Sequence, residues 1–254
     1  MTNLFIFHSL LRPQFSLLTT TPLPLSTLSS FTVSIHLNYQ LCKFISIQLF
    51  FAVKALNASM LMHRVINPDN IIVEANGYIK LTHLISCTVV PLSKSSTLKE
   101  GDLRFMAPKM LYGNSEYGFA VDYWAIGVIM FVIVAQKFPF NIDTNDKRKE
   151  IVNSIINDDL IFPSNVINED FKDLVSKLLE KSEAQRIKSF DCIIDHPFYK
   201  NSYYGSIETM TMEAPKALRG HKAKMNPYKN EKYIAFEEMN NEIYREDKKH
   251  KRKK

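Results

Sequence analysis

His63-Arg64-Val65-Ile66-Asn67-Pro68-Asp69-Asn70-Ile71-Ile72 is the stretch that decides how this chain folds, because it joins two different periodicities. Before it, Leu41, Phe44, Ile45, Leu49, Ala52 and Leu56 recur at three- and four-residue steps, the spacing of one helix face, with Asn38 as a candidate N-cap. That helix is expected to end within 57–60 and lead straight into His63. After the stretch, residues 70–73 form a short apolar run with β-branched side chains. Ala75-Asn76-Gly77-Tyr78 reads as a turn, since Asn-Gly tolerates positive φ, and Ile79-Lys80-Leu81 alternates as a strand does. The two strands make a small hairpin that carries the 63–70 loop on one side and His83 on the other.

Further along, residues 87–102 have no helical period and hold Pro91 and a Ser/Thr cluster, which reads as a loop of functional length. Residues 120–135 are apolar on every side, with Asp122 the one charge, so a helix there must be buried all round. Asn168 can cap a helix bearing Phe171, Leu174, Val175, Leu178 and Leu179. Ser189 can cap another that runs into Asp195-His196-Pro197-Phe198. No internal repeat is visible. The expected fold is mainly α (α+β): a helical bundle around a buried central helix, with one small β-hairpin.

At 254 residues, 46% hydrophobic and 23% charged, the chain has the composition of a globular domain rather than a disordered one. Cys42, Cys87 and Cys192 are scattered and odd in number, which suits reduced thiols in a cytoplasmic or nuclear setting and excludes a zinc spacing. Charge is unevenly placed. No Asp or Glu precedes Asp69 and no glycine precedes Gly77, whereas residues 215–254 hold 13 Lys/Arg against 6 Asp/Glu. That tail carries +7 and leaves the rest near −1. The first 27 residues are Ser/Thr-rich, broken by Pro13, Pro22 and Pro24, with Arg12 their one charge, so they lack the basic residues of a secretory or mitochondrial signal. The apolar run 41–62 is interrupted by Lys43, Gln48 and Lys54, and a charge near a span's centre costs about 2.5–3.5 kcal/mol, so no transmembrane segment is expected.

Residues 29–200 resemble the large, C-terminal lobe of a serine/threonine protein kinase, in the style of the AGC group. The 63–70 stretch is similar to the catalytic loop His-Arg-Asp-x-Lys-Pro-x-Asn. Gly77-Tyr78-Ile79-Lys80-Leu81-Thr82 is similar to the strand before Asp-Phe-Gly, and Met106-Ala107-Pro108-Lys109 to Ala-Pro-Glu. Val121-Asp122-Tyr123-Trp124-Ala125-Ile126-Gly127 resembles the start of the central helix. Phe138-Pro139-Phe140, Arg186 and His196-Pro197-Phe198 follow in the family's order.

The resemblance implies ATP and magnesium, an Asp base and an Asn metal ligand. Here Val65 stands for the base, Asn67 for the loop Lys and His83 for the magnesium-binding Asp; Ile85 replaces a glycine, and Asn70 alone is kept as a metal ligand. A valine cannot take a proton, and a positioned base is worth about 10²–10⁴ in rate. Neither the Gly-rich loop nor the helix Glu of the small lobe can be found. Phe51-Ala52-Val53-Lys54 looks like Val-Ala-Ile-Lys, but Lys54 lies only nine residues before His63 and reads as part of the helix. Asp122, Trp124, Gly127 and Arg186 read as structural, with Asp122 accepting from the loop backbone. Arg64 has the place of the residue that binds an activation-loop phosphate, which Ser96 or Thr97 can supply. Arg186 would face Lys109 instead of a Glu, so the segment 109–118 is expected to be displaced or mobile.

The expected reading is therefore an inactive kinase-like lobe, a pseudokinase with no functional catalytic residue and no bound cofactor, acting through a protein partner. Its apolar upper surface and its basic tail, which can also meet nucleic acid or an anionic membrane, are the candidate contacts. Two alternatives stand beside it: a kinase with residual transfer, using Asp69 or Asp102 as base, and a truncated fragment without function. Residues 1–28 are expected to be a disordered leader and 201–254 a disordered basic tail. Partner identity and oligomeric state are not legible.

Overall fold

A computed structural model describes residues 26–29, 39–89, 101–112, 116–140, 142 and 146–219. In chain order the elements are β1 (Ser26–Thr27), α1 (Tyr39–Ala58), β2 (Leu61–Met62), β3 (Ile71–Val73), β4 (Ile79–Leu81) and β5 (Thr88–Val89). Then come α2 (Pro108–Leu111), α3 (Ala120–Ala135), α4 (Arg148–Asn157), α5 (Glu169–Leu178), α6 (Phe190–Ile194) and α7 (Tyr204–Glu208). The expected mainly helical architecture is present, with α1 and α3 packed at its centre.

The helix faces follow the sequence. Leu41, Phe44, Ile45, Leu49, Ala52 and Leu56 are all buried on α1. By length and composition α1 could cross a bilayer, but 67% of its most apolar window is buried inside the fold. The apolar α3 is enclosed on all sides and keeps Asp122 inside with it. Each large side chain fully buried in this core, Trp124, Phe50, Phe131 and Phe171 among them, contributes about 1.5–3 kcal/mol. Gly127 lets α5 approach: a Cβ built there would stand 2.8 Å from Leu178 Cβ. Asn168 and Ser189 cap α5 and α6 by accepting from Phe171 N and Cys192 N.

β3 and β4 form the expected antiparallel hairpin, with Ile71 opposite Leu81 and Val73 opposite Ile79. Its turn is held by Asn76 Oδ1, which accepts from Tyr78 N at 3.0 Å, and Gly77 takes φ +86°.

Both expected boundaries move outward. Ser26 and Thr27, read as leader, pair with Val73 and Ile72 and extend the sheet to the order β1-β3-β4; Leu28 beside them is fully buried. Past Lys200, where the lobe was expected to end, the chain stays packed to Arg219. Ile207, Ala214 and Leu218 are buried, and Tyr78 Oη donates to Met212 O at 2.7 Å. Neither extension shows in the sequence, because single apolar residues at irregular spacing have no period to detect. The leader 1–25, the candidate N-cap Asn38, the candidate phosphosites Ser96 and Thr97, and the tail from 220 onward lie outside the described residues.

Candidate functional site

The 63–70 loop is held from below by one buried carboxylate. Asp122, on the first turn of α3, accepts from His63 N through Oδ2 and from Arg64 N through Oδ1, each at 2.8 Å. Arg64 sits at φ +74°, a left-handed conformation that costs a non-glycine residue about 1–2 kcal/mol. Two hydrogen bonds to a charged acceptor, at about 1.5–3 kcal/mol each, outweigh that cost. Burial pushes the Asp122 carboxyl up to about 6, while the two amides and the Arg64 guanidinium pull the other way.

His63 is fully buried, and its Nε2 lies 2.7 Å from Thr82 O. A carbonyl only accepts, so Nε2 carries the proton, and Nδ1 is buried without a hydrogen-bond partner. Burial pushes the His63 pKa down to about 4, against the carbonyl contact that raises it. Arg64 donates Nε–H to Ser86 O at 2.8 Å and Nη2–H to the same oxygen. The guanidinium is thus held by the segment that follows β4.

Val65 is buried at the position where the resemblance places the base. Its carbonyl accepts from Asn70 Nδ2 at 2.8 Å, which turns the amide nitrogen of Asn70 inward. Asn67 Oδ1 accepts from Asp69 N and Asn70 N and caps the 3₁₀ turn Pro68–Asn70. The residue at the loop-lysine position has therefore become a cap. Thr82 donates both N–H and Oγ1–H to Asn70 O, at 2.8 and 2.9 Å, and ties the hairpin's far strand to the loop. His83 follows in a left-handed conformation at φ +61°, with its side chain exposed and making no cap bond.

Over Val65 lies Gly101, at φ +112°; a Cβ built there would stand 3.2 Å from Val65 Cγ1. Asp102 next to it does not face outward as a spare base. Its Oδ1 accepts from Arg104 N and from Arg104 Nε, at 3.1 and 2.7 Å, and its Oδ2 pairs with Nη2 of the same arginine. Arg104 is buried, with its guanidinium over the Phe138 ring.

These donors do not fit a magnesium–nucleotide pair. Magnesium takes hard oxygen ligands, usually with a carboxylate among them. The two positions that the resemblance gives it hold Asn70, a neutral amide whose Nδ2 is engaged with Val65 O, and an imidazole, so neither brings a carboxylate. Both oxygens of Asp122 are used by amides, and those of Asp102 by Arg104. No group of three His, Cys, Asp or Glu able to hold a metal forms among the described residues.

Arg186 finds no carboxylate at position 109, as expected. Lys109 Nζ lies 2.8 Å from Glu183 Oε2, and Glu183 Oε1 accepts from Gly118 N at 2.8 Å. Arg186, buried beneath, donates to three carbonyls: Glu180 O at 2.8 Å, Ala120 O at 3.1 Å and Lys181 O at 3.2 Å. Its guanidinium also lies over the Trp124 ring, 4.9 Å from the centroid, and Trp124 stacks on Phe140. Burial pushes the Arg186 pKa down to about 10, and Glu183 and Glu180 oppose that shift. The two described ends of 109–118, α2 and Gly118, which were expected to be displaced or mobile, are both held by Glu183, and residues 113–115 lie outside the described residues. An acid three residues before Arg186 was the sequence signal for it.

A protein kinase domain model matches residues 14–199. Developmentally-regulated protein kinase 1 of Dictyostelium discoideum is 26% identical over 192 residues, which cover 75% of this chain and 26% of that protein. Aurora kinase of the same organism is 29% identical over 179 residues, covering 70% and 45%. Protein kinase C epsilon type of Rattus norvegicus is 28% identical over 179 residues, covering 65% and 24%. The chain spans less than half the length of each of these relatives. With the loop, hairpin and central helix in place and this match, the chain belongs to the protein kinase domain family.

Proposed function

We propose that this chain is a pseudokinase lobe of AGC style that transfers no phosphate and acts by binding a protein partner. The observation that carries the reading is Val65: at the base position stands a buried alkyl side chain, packed against Gly101. Asn67 as a turn cap, His83 in place of a carboxylate and Asp102 closed on Arg104 point the same way. Electrostatic stabilisation supplies most of phosphoryl-transfer catalysis, and Val65, Asn67 and His83 each stand where the resemblance puts a charge. ATP and magnesium are not expected as cofactors. The reduced state of Cys42, Cys87 and Cys192, free among the described residues, suits a cytoplasmic or nuclear setting. Met60 and Val89 are 47% and 54% exposed at one end of the β2–β5 pair, and they support an apolar contact for the partner.

A thermal-shift experiment on the full chain with ATP and magnesium tests the nucleotide half, since a ligand that binds only the folded state raises the midpoint. No shift is expected. A clear rise, together with radiolabel transfer lost in Asn70→Ala, would replace this reading with that of a kinase of residual activity.

A further inference from the structure

One side chain fastens both ends of the segment 109–118. Glu183 Oε2 meets Lys109 Nζ at 2.8 Å, on α2, and Glu183 Oε1 takes the Gly118 amide at 2.8 Å, just before α3. The near approach at the second end depends on glycine. A Cβ built on Gly118 would stand 3.2 Å from Glu183 Oε1, so a side chain there would push the oxygen away. The Glu183 side chain is only 16% exposed. Burial works against its charge, yet Lys109, the Gly118 amide and Arg186 together outweigh it and hold the carboxyl below the usual range.

Arg186 does not do this work. Its donors go to the carbonyls of Glu180, Ala120 and Lys181, and none of these three bonds is to a carboxylate. Its charge instead lies beside Glu183 as a third, non-bonded partner. The polarity of the anchor is therefore reversed: the segment contributes the cation and the body of the lobe contributes the anion.

We infer that Glu183 is a two-ended charge clip that ties Lys109 on α2 and Gly118 just before α3 to the body of the lobe, and that Lys109 is its releasable end. The inference stands whether or not the lobe transfers phosphate. The two ends differ in kind. The Gly118 amide bond is a backbone bond to a charged acceptor and resists salt. The Lys109 end is a side-chain pair, with the lysine 43% exposed, and is open to screening and to loss of the lysine's charge.

Hydrogen exchange on the full chain, read by mass spectrometry on peptides spanning 109–118, tests the clip. Glu183→Ala is expected to speed exchange across 109–118 by about tenfold, the scale of one lost charge-assisted hydrogen bond, with the α3 peptides unchanged. Lys109→Met, at an exposed position that the fold tolerates, is expected to speed exchange only at the 109–112 end, and high salt to do the same to the wild type. The inference is overturned if Lys109→Met and high salt both leave 109–112 as in the wild type. It is equally overturned if Glu183→Ala loosens the whole lobe evenly, or if Arg186→Lys, and not Glu183→Ala, releases 109–118 selectively.

Discussion

Gly101 lies over Val65 so closely that a Cβ on the glycine would stand 3.2 Å from Val65 Cγ1. The base position is thus a packing position. Val65→Asp places a carboxylate in a buried site against Gly101, and an uncompensated buried charge costs about 3–5 kcal/mol. We predict that this variant is less stable by that amount in urea denaturation and gains no phosphotransfer in a radiolabel assay. Turnover in Val65→Asp would show that the missing base was the sole defect.

Gly77 is required twice, by its φ of +86° and by the contact its Cβ would make 2.7 Å from Ala214 Cβ. Gly77→Ala is expected to destabilise by more than about 1 kcal/mol, beyond the usual left-handed penalty, because residue 214 must also move. Limited proteolysis should then cut first within 203–219, the segment that Ala214, Leu218 and the Tyr78–Met212 bond hold to the hairpin.

Arg186→Ala removes the donors to three carbonyls and a cation from the face of Trp124. Leaving buried acceptors unmatched costs about 1–3 kcal/mol, so denaturant unfolding should show at least that loss. Because no carboxylate pair breaks, Glu183→Gln in the same background should add its own effect almost independently, apart from the through-space attraction between the two charges.

His63 gives the lobe a pH dependence of defined sign. Its folded pKa, about 4, lies below the unfolded value of about 6.5, so its contribution is full above pH 6.5 and is lost as pH falls toward 4. The loss is on the order of 3 kcal/mol. Asp122 works oppositely: its folded pKa, about 6, is raised, so its contribution is fully present below pH 3.8 and is lost as pH rises through 6. The two mask each other in the wild type. Comparing unfolding free energies of wild type and His63→Gln across pH 4–7 isolates the histidine. The difference should shrink in favour of the variant as pH falls, and a pH-independent difference would refute the assignment.

Much of the site was legible in the letters. His63, Val65, Asn70 and Asp122 occur at separations that tolerate no gap, and the structure brings them together as expected. Glu183 was not read, although it stands three residues from Arg186, because an acid on a helix-connecting loop has no period and its partners are 65 and 74 positions away. Asp102, named as a substitute base only in the residual-kinase alternative, is closed on Arg104, two residues on, an interaction that depends on the 3₁₀ turn Leu103–Phe105 bending one back toward the other. Ser26–Thr27 and the segment 203–219 were assigned to tails. Two-residue strands and lone buried apolar residues become recognisable only against the surface that covers them.

The sequence by itself determined four of the helices, α1, α3, α5 and α6, the caps of α5 and α6, and the chemical identity of the loop. Those depend on side-chain periodicity and on atoms that a residue type either has or lacks: Val65 has no proton acceptor in any fold. Only the tertiary structure decided where the charges go. Lys109 finds Glu183, 74 positions on, and Arg186 finds the carbonyl of Ala120 and the indole face of Trp124. A charge in a low-dielectric interior is matched by whatever donor or acceptor the packing brings within about 3 Å, and that choice is made across the chain, not along it.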